Sequence, residues 1–328
     1  RLSLRLGHIR SAPVLSVEGS ANARGNASVR HQGAAAGEGE ISMLGDYRMT
    51  FRGAGIAAAL AASLLATTAA QATDGYFANG IGARHKALAG AGVADGRDAT
   101  SAALNPAGIL RAGNELAISA SVFVPLREFE SPGGAFLPAG TTESDRPIFV
   151  IPNIAWNWRT VGNPYFDAVT LSMSGNGGMN TTYPPVAASG AFCAGAPGIF
   201  CAGKAGVDLT QLLVSLAMAK SFGPVSVGLA PTVAAQMFAA KGLGAFAPFS
   251  TNPTALTNNT HEVIFGAGLR GGLEWAITPN IRLGAAGSTK IYSQKFDDYA
   301  GLFAEGGDFD IPANIQVGIA IDLSPRLT

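Results

Sequence analysis

Two long stretches alternate apolar and polar residues with a period of two, and they limit the fold more than any other feature. Val263, Phe265, Ala267, Leu269, Leu273 and Trp275 oppose Gly266, Gly268, Arg270 and Glu274. Ile281, Leu283, Ala285 and Ile291 oppose Arg282, Gly284, Ser288 and Lys290. A period of two sends successive side chains to opposite faces of a strand. The segments 263–275 and 281–292 run eleven residues or more. A tilted strand that crosses a bilayer needs about 9–11 residues, whereas a globular strand is usually about 5–6.

Six further segments alternate in the same way. Leu116, Ile118, Ala120 and Val122 oppose Ala117, Ser119 and Ser121; Val150, Ile154, Trp156 and Trp158 oppose Asn153 and Asn157. Val169, Leu171 and Met173 oppose Thr170, Ser172 and Ser174; Leu212, Val214, Leu216 and Met218 oppose Ser215, Ala217 and Ala219. Val225, Val227, Leu229 and Val233 oppose Ser226, Gly228 and Thr232; Ile315, Val317, Ile319 and Ile321 oppose Asn314, Gln316 and Asp322. The turn Thr278-Pro279-Asn280 is tight, and the links 124–148, 176–211 and 234–262 are long. That asymmetry is the pattern of inner turns and outer loops in a membrane barrel. Trp156, Trp158 and Trp275 fall near strand ends, where an aromatic girdle would lie. These features predict an all-β fold, a transmembrane antiparallel β-barrel spanning 114–328. Eight strands leave almost no lumen. The sequence also stops at Leu323-Ser324-Pro325-Arg326-Leu327-Thr328, a turn leading toward a further strand, so several C-terminal strands are expected beyond it.

Composition agrees. Charged residues are only 13% and Gly is 43 of 328, where about a quarter charged is usual for a soluble domain. Residues 1–72 hold seven Lys/Arg and four Asp/Glu, and residues 73–328 hold fifteen and eighteen, a net of −3. Nothing there points to nucleic acid. Met49-Thr50-Phe51-Arg52, the Ala/Leu-rich run 53–66 and Ala70-Gln71-Ala72 read as a signal peptide, 49–72, cut after Ala72. Residues 1–48 have no hydrophobic period; they read as a start-site artefact or a disordered upstream extension. Residues 73–113 then form an N-terminal plug. Cys193 and Cys201 flank a Gly/Pro-rich stretch of an exported chain and read as a loop disulfide.

The chemistry-bearing signals are few. Gly266-Ala267-Gly268-Leu269-Arg270-Gly271 fits G-x-G-x-x-G but lies inside a strand, so it does not read as a dinucleotide site. His261-Glu262 has no evident third partner. Asp297-Asp298 and Asp308/Asp310 read as solvated loop charges before a Ca²⁺ site. No enzyme activity, metal or cofactor is expected. Arg270, Glu274, Arg282 and Lys290 project to one side of neighbouring strands. They form either a structural lumen network or, through Arg270, Arg282 and Lys290, contacts for a carboxylate head group.

Ordered pieces of the chain resemble one family. Asn79-Gly80-Ile81-Gly82, Ala87-Leu88-Ala89-Gly90-Ala91-Gly92 and Asn105-Pro106-Ala107-Gly108 look like its N-terminal hatch. Gly178–Pro184, Gly206–Leu212, Tyr299–Glu305 and Phe309–Pro312 follow in order. The chain resembles the FadL/TodX-type outer-membrane transporters of long-chain fatty acids and other hydrophobic compounds. The resemblance implies a fourteen-stranded barrel closed by a hatch, a monomer set in outer-membrane lipid and lipopolysaccharide, and a lateral exit at a kink in the third strand. On this sequence that strand is Ala168–Gly175, with Gly175, Gly177 and Gly178 at the kink or, equally, at a simple turn. Asn105, Pro106 and Ala107 read as a turn set against the wall, or as a plain turn after a helix. Tyr76, Phe77 and Ile81 read as gating residues or as packing beneath the hatch. The expected cargo is a long-chain fatty acid; aromatic hydrocarbons, and a general porin or an adhesin, are the alternatives.

Overall fold

A computed structural model describes the backbone of residues 15–22, 26–27 and 73–74, and residues 77–133, 138–160, 162–186 and 196–324 in full. The signal-peptide segment 49–72, most of 1–48, Tyr76 and Cys193 lie outside the described residues.

All eight alternating segments are strands, and each pairs antiparallel with its neighbour in sequence. They are β1 Glu115–Phe123, β2 Phe149–Arg159, β3 Ala168–Tyr183 and β4 Ala205–Phe222. Then come β5 Val225–Lys241, β6 Glu262–Thr278, β7 Ile281–Ser288 and β8 Asn314–Ile321. The result is one strongly curled meander, half of a barrel. Links alternate in length. At one end the turns are Gly223-Pro224 and Pro279-Asn280 plus the link 160–167; at the other are 124–148, 184–204, 242–261 and 289–313.

The strands outrun their sequence pattern. β3 continues through Asn176-Gly177-Gly178 to Tyr183, which replaces the turn reading of that stretch with a bulged strand. β4 starts at Ala205 and β5 runs to Lys241, so the links expected at 176–211 and 234–262 shrink to 184–204 and 242–261. The added stretches are rich in Gly, Asn, Thr and Ala, which blur the alternation. The segment expected as one strand over 281–292 is broken. β7 stops at Ser288, and Tyr292–Ser293 returns to pair with β6. Thr289 Oγ1 accepts the Leu269 N–H at 3.0 Å, and Ile291 bridges to Ile311 instead. Between β4 and β5 the register skips Leu216-Ala217 opposite Ala230-Pro231. Proline has no N–H to give to a ladder.

The two faces of the sheet are inverted relative to a soluble fold. Convex-face residues are apolar and open: Trp156 is 49% exposed, Val233 52% and Phe265 55%. Concave-face residues are closed, and polar Asn157, Thr170 and Gln236, all 0% exposed, sit there beside buried alanines, Leu209, Phe238 and Ile264. Inside the curl lies the segment from Phe77 to Gly113. It contains the short helix α1, Gly82–Ala87, and two 3₁₀ turns, Ala99–Ala103 and Pro106–Leu110. Ile109 and Ala102 pack against Ala168, Ala217, Ala219 and Ala230 of the wall. Toward the long-link end, the 289–313 link folds inward. Its Phe296 and Tyr299 pack on Phe238, Leu209 and Ile264. No helix among the described residues is long and apolar enough to cross a membrane.

Leu15–Asn22, inside the segment read as an upstream extension, is a strand whose backbone runs antiparallel to β1. An open sheet edge offers unpaired N–H and C=O groups, which makes it a template for any extended segment.

Candidate functional site

The inner segment is fitted to the wall through glycines that leave room for its backbone. A Cβ on Gly228 would collide with Ala107 N, and one on Gly284 with Val93 O. A Cβ on Gly318 would lie 3.3 Å from Val93 Cβ, and one on Gly272 would overlap the Asn105 side chain. Asn105 is 1% exposed and joins three stretches of backbone. Its Nδ2 donates to Val93 O at 2.7 Å and to Leu273 O of β6 at 3.1 Å, while its Oδ1 accepts from Ala107 N at 3.0 Å. The turn Asn105-Pro106-Ala107 is therefore held against the wall. Pro106 opens the second 3₁₀ turn, where its missing N–H has no bond to lose.

At the short-turn end, charges join segment and wall. Arg282, 1% exposed, donates to Asp322 and lies 3.9 Å from both Asp95 and Glu274. Its Nε also donates to Ala94 O at 3.2 Å. Arg97 bridges Asp95 at 2.6 Å and Asp322 at 3.0 Å, and Arg111 lies 3.8 Å from Glu274. Arg282 is therefore fully engaged with carboxylates.

Above this network is a small cavity, about 40 Å³. Phe77, Ile81 and Leu104 line it from the inner segment, Ile291 and Ile311 from the folded-in link, and Leu213, Gly175 and Arg270 from the wall. Half-buried Arg270 donates from Nη1 to Leu104 O at 3.2 Å and has no carboxylate partner among the described residues. Asn314, on β8, also lines the cavity; its side-chain Nδ2 and Oδ1 are buried with no hydrogen-bond partner among the described residues. A cation and an amide with spare bonding capacity, framed by apolar side chains, suit one anionic group attached to an apolar body.

The cavity borders a seam in the wall. β2 and β3 pair from Arg159↔Ala168 to Asn153↔Ser174 and no further, although both strands continue. Pro152, which lacks an N–H, sits where pairing stops. Beyond it, β3 pairs with β4, with a register shift opposite Gln211/Leu212 at Asn176, and toward β2 only Thr182 finds partners, in Ser144 and Asp145 of the 124–148 link. Asn176 donates to Gln211 at 3.0 Å, Gln211 to Gln236 at 2.5 Å, and Gln236 to Ser293 Oγ at 2.8 Å and Phe309 O at 3.0 Å. This chain of side chains ties the bulge to the folded-in link.

The expected site residues sort unevenly. Phe77, Ile81, Gly175 and Arg270 meet at one cavity, and Asn105-Pro106-Ala107 forms the turn just beneath Arg270. Gly177 and Gly178 lie on the unpaired stretch of β3 without lining the cavity. Arg282 belongs to the ion network. Lys290 is not in the cavity; it is 43% exposed and bonds Asp310 at 2.6 Å, which raises its pKa. Cys201 is disulfide-bonded. Asn314 carries no sequence signal beyond a polar position on an alternating strand, and Asn176 and Gln211 fall in the expected link 176–211. No family model matches the sequence, and no curated protein matches it.

Proposed function

We propose that this chain lets long-chain fatty acids, or closely similar apolar acids, pass the outer membrane by diffusion through a hatch-closed barrel. The observation that carries the reading is the inverted sheet. Its apolar convex face is open, and its concave face encloses the Phe77–Gly113 segment and a cavity lined by Arg270, which has no carboxylate partner among the described residues. Lipid is the environment that would cover a continuous apolar convex face, since such a face in water would drive aggregation. Long strands, short turns at one end and long links at the other support the same orientation.

In this reading the Phe77–Gly113 segment is the hatch. Arg270 and Asn314 take the carboxylate, and the acyl chain lies among Phe77, Ile81, Leu104 and Leu213. A cavity of about 40 Å³ is far below the roughly 300–1,000 Å³ of a small-molecule pocket. It seats a head group and no more, so the chain enters only as the Phe77–Ile81 end moves. Apolar burial contributes roughly 0.8 kcal/mol per CH₂, enough to drive capture without an energy source. The unpaired seam between β2 and β3 is the sideways exit. Arg270 favours an acid over an aromatic hydrocarbon, which has no charge to offer it.

The test is uptake of labelled oleate, oleyl alcohol and a small sugar by cells that lack their own transporter of this type. The expected result is saturable oleate uptake without sugar entry. Arg270→Ala lowers oleate uptake about tenfold and oleyl alcohol uptake little, matching a lost charged hydrogen bond of about 1.5–3 kcal/mol. Sugar entry through the unaltered protein overturns the gated reading, and equal loss for acid and alcohol overturns the role of Arg270.

A further inference from the structure

We propose that a cationic pocket on the convex face, at the long-link end, binds a phosphate group carried by a glycolipid of the outer leaflet. The inference rests on the membrane orientation above. The pocket, about 240 Å³, is lined by Arg146, Lys204, Lys241, His261, Asp145 and Asp208, with Gly206 and Thr182. It lies outside the curl. Asp208 shares its face of β4 with exposed Val214 and Leu216, and His261 extends the outward alternation of Phe265 and Val263. The pocket therefore sits directly beyond the apolar band, at the level of lipid head groups.

Its charges are arranged to receive an anion. Asp208 accepts from Arg146 Nη1 at 2.7 Å and from His261 Nε2 at 3.1 Å, which fixes both side chains at one wall. Lys204 lies 3.6 Å from Asp145. Lys241 has no carboxylate partner among the described residues. Three permanent cations and a histidine thus face two carboxylates, leaving a positive surplus on a surface otherwise poor in charge. Arginine and lysine converging on one pocket form a phosphate-binding set. Gly206 keeps the floor open, and a Cβ there would run into Thr181 O. The position argues for a lipid-borne phosphate. Basic pockets at the edge of an apolar band recognise anionic head groups whose acyl chains lie along that band.

The test uses the full chain in detergent micelles, titrated with bis-phosphorylated lipid A, with its dephosphorylated form and with inorganic phosphate, and read by native mass spectrometry. Lipid A is expected to bind the unaltered protein about tenfold or more tightly than the dephosphorylated form, with inorganic phosphate failing to displace it. The doubly substituted Lys204→Ala, Lys241→Ala protein is expected to lose that preference. Equal binding of both lipids, an unchanged preference in the substituted protein, or displacement by inorganic phosphate overturns the proposal. Oleate uptake by the unaltered protein is measured in parallel. Intact uptake without lipid preference removes this inference alone, whereas failure to take up oleate counts against the transport reading.

Discussion

Asn105 lies so close to Gly272 that a methyl group on that glycine would overlap its side-chain oxygen. The glycine is what allows the inner turn to touch the wall, and Pro106 Cδ would sit only 2.8 Å from the added carbon. Its neighbour Gly271 faces the other way, with nothing within 4 Å of an added Cβ. Gly272→Ala is expected to push the inner segment off the wall at roughly 1–3 kcal/mol of overpacking. Gly271→Ala is expected to behave as the unaltered protein. Sugar leakage in a liposome-swelling assay separates the two, and equal leakage would show that the hatch does not depend on this contact.

Removing the Asn105 side chain tests the same clamp from the other side. Asn105→Ala strands the carbonyls of Val93 and Leu273, each a buried acceptor worth about 1–3 kcal/mol when left unpaired. Hydrogen exchange of the amides between Val93 and Ala107 is expected to speed up about tenfold to a hundredfold, with the wall strands unchanged. A uniform change across hatch and wall would mean that Asn105 supports the whole fold instead of the hatch.

Asp167, in the 160–167 link, gives a pH signature. Its carboxylate accepts from Lys220 Nζ and from Ser221 N, both at 2.9 Å, and these bonds hold its pKa below the usual carboxylate value. A depressed folded pKa means stability that is present above the unfolded value, about 3.9, and lost as pH falls through the folded one. Asp167→Asn is therefore expected to melt below the unaltered protein at pH 7, with the difference closing under pH 4. A gap in melting temperature that persists at pH 2 would exclude the ionised carboxylate as its source.

The wall was legible in the sequence because alternation survives wherever Val, Ile, Leu and Trp mark one face. It fails where both faces use small residues, so the pattern of β3 ends at Gly175 although its backbone pairs with β4 up to Tyr183. The inner turn was legible because Asn-Pro has few backbone options. Arg270 and Arg282 looked alike as polar positions on adjacent strands. What distinguishes them is Asp95 and Asp322, which reach Arg282 from 187 and 40 residues away (282 − 95 and 322 − 282) and do not reach Arg270. Contacts of that range carry no local pattern.

The seam between β2 and β3 can be closed on demand. A Cβ on Gly175 would lie 3.8 Å from Ile151 Cβ, the mean spacing of a disulfide, about 3.8 Å. Ile151→Cys with Gly175→Cys is therefore expected to cross-link across the unpaired stretch without moving the backbone. If cargo leaves sideways here, the oxidised protein still binds oleate but releases none inward, and a mild reductant restores uptake. Control pairs placed below Asn153↔Ser174, where the strands are already hydrogen-bonded, are expected to change nothing. Full uptake by the cross-linked protein would close this route and direct the exit through the barrel's short-turn end, past the Arg282 network.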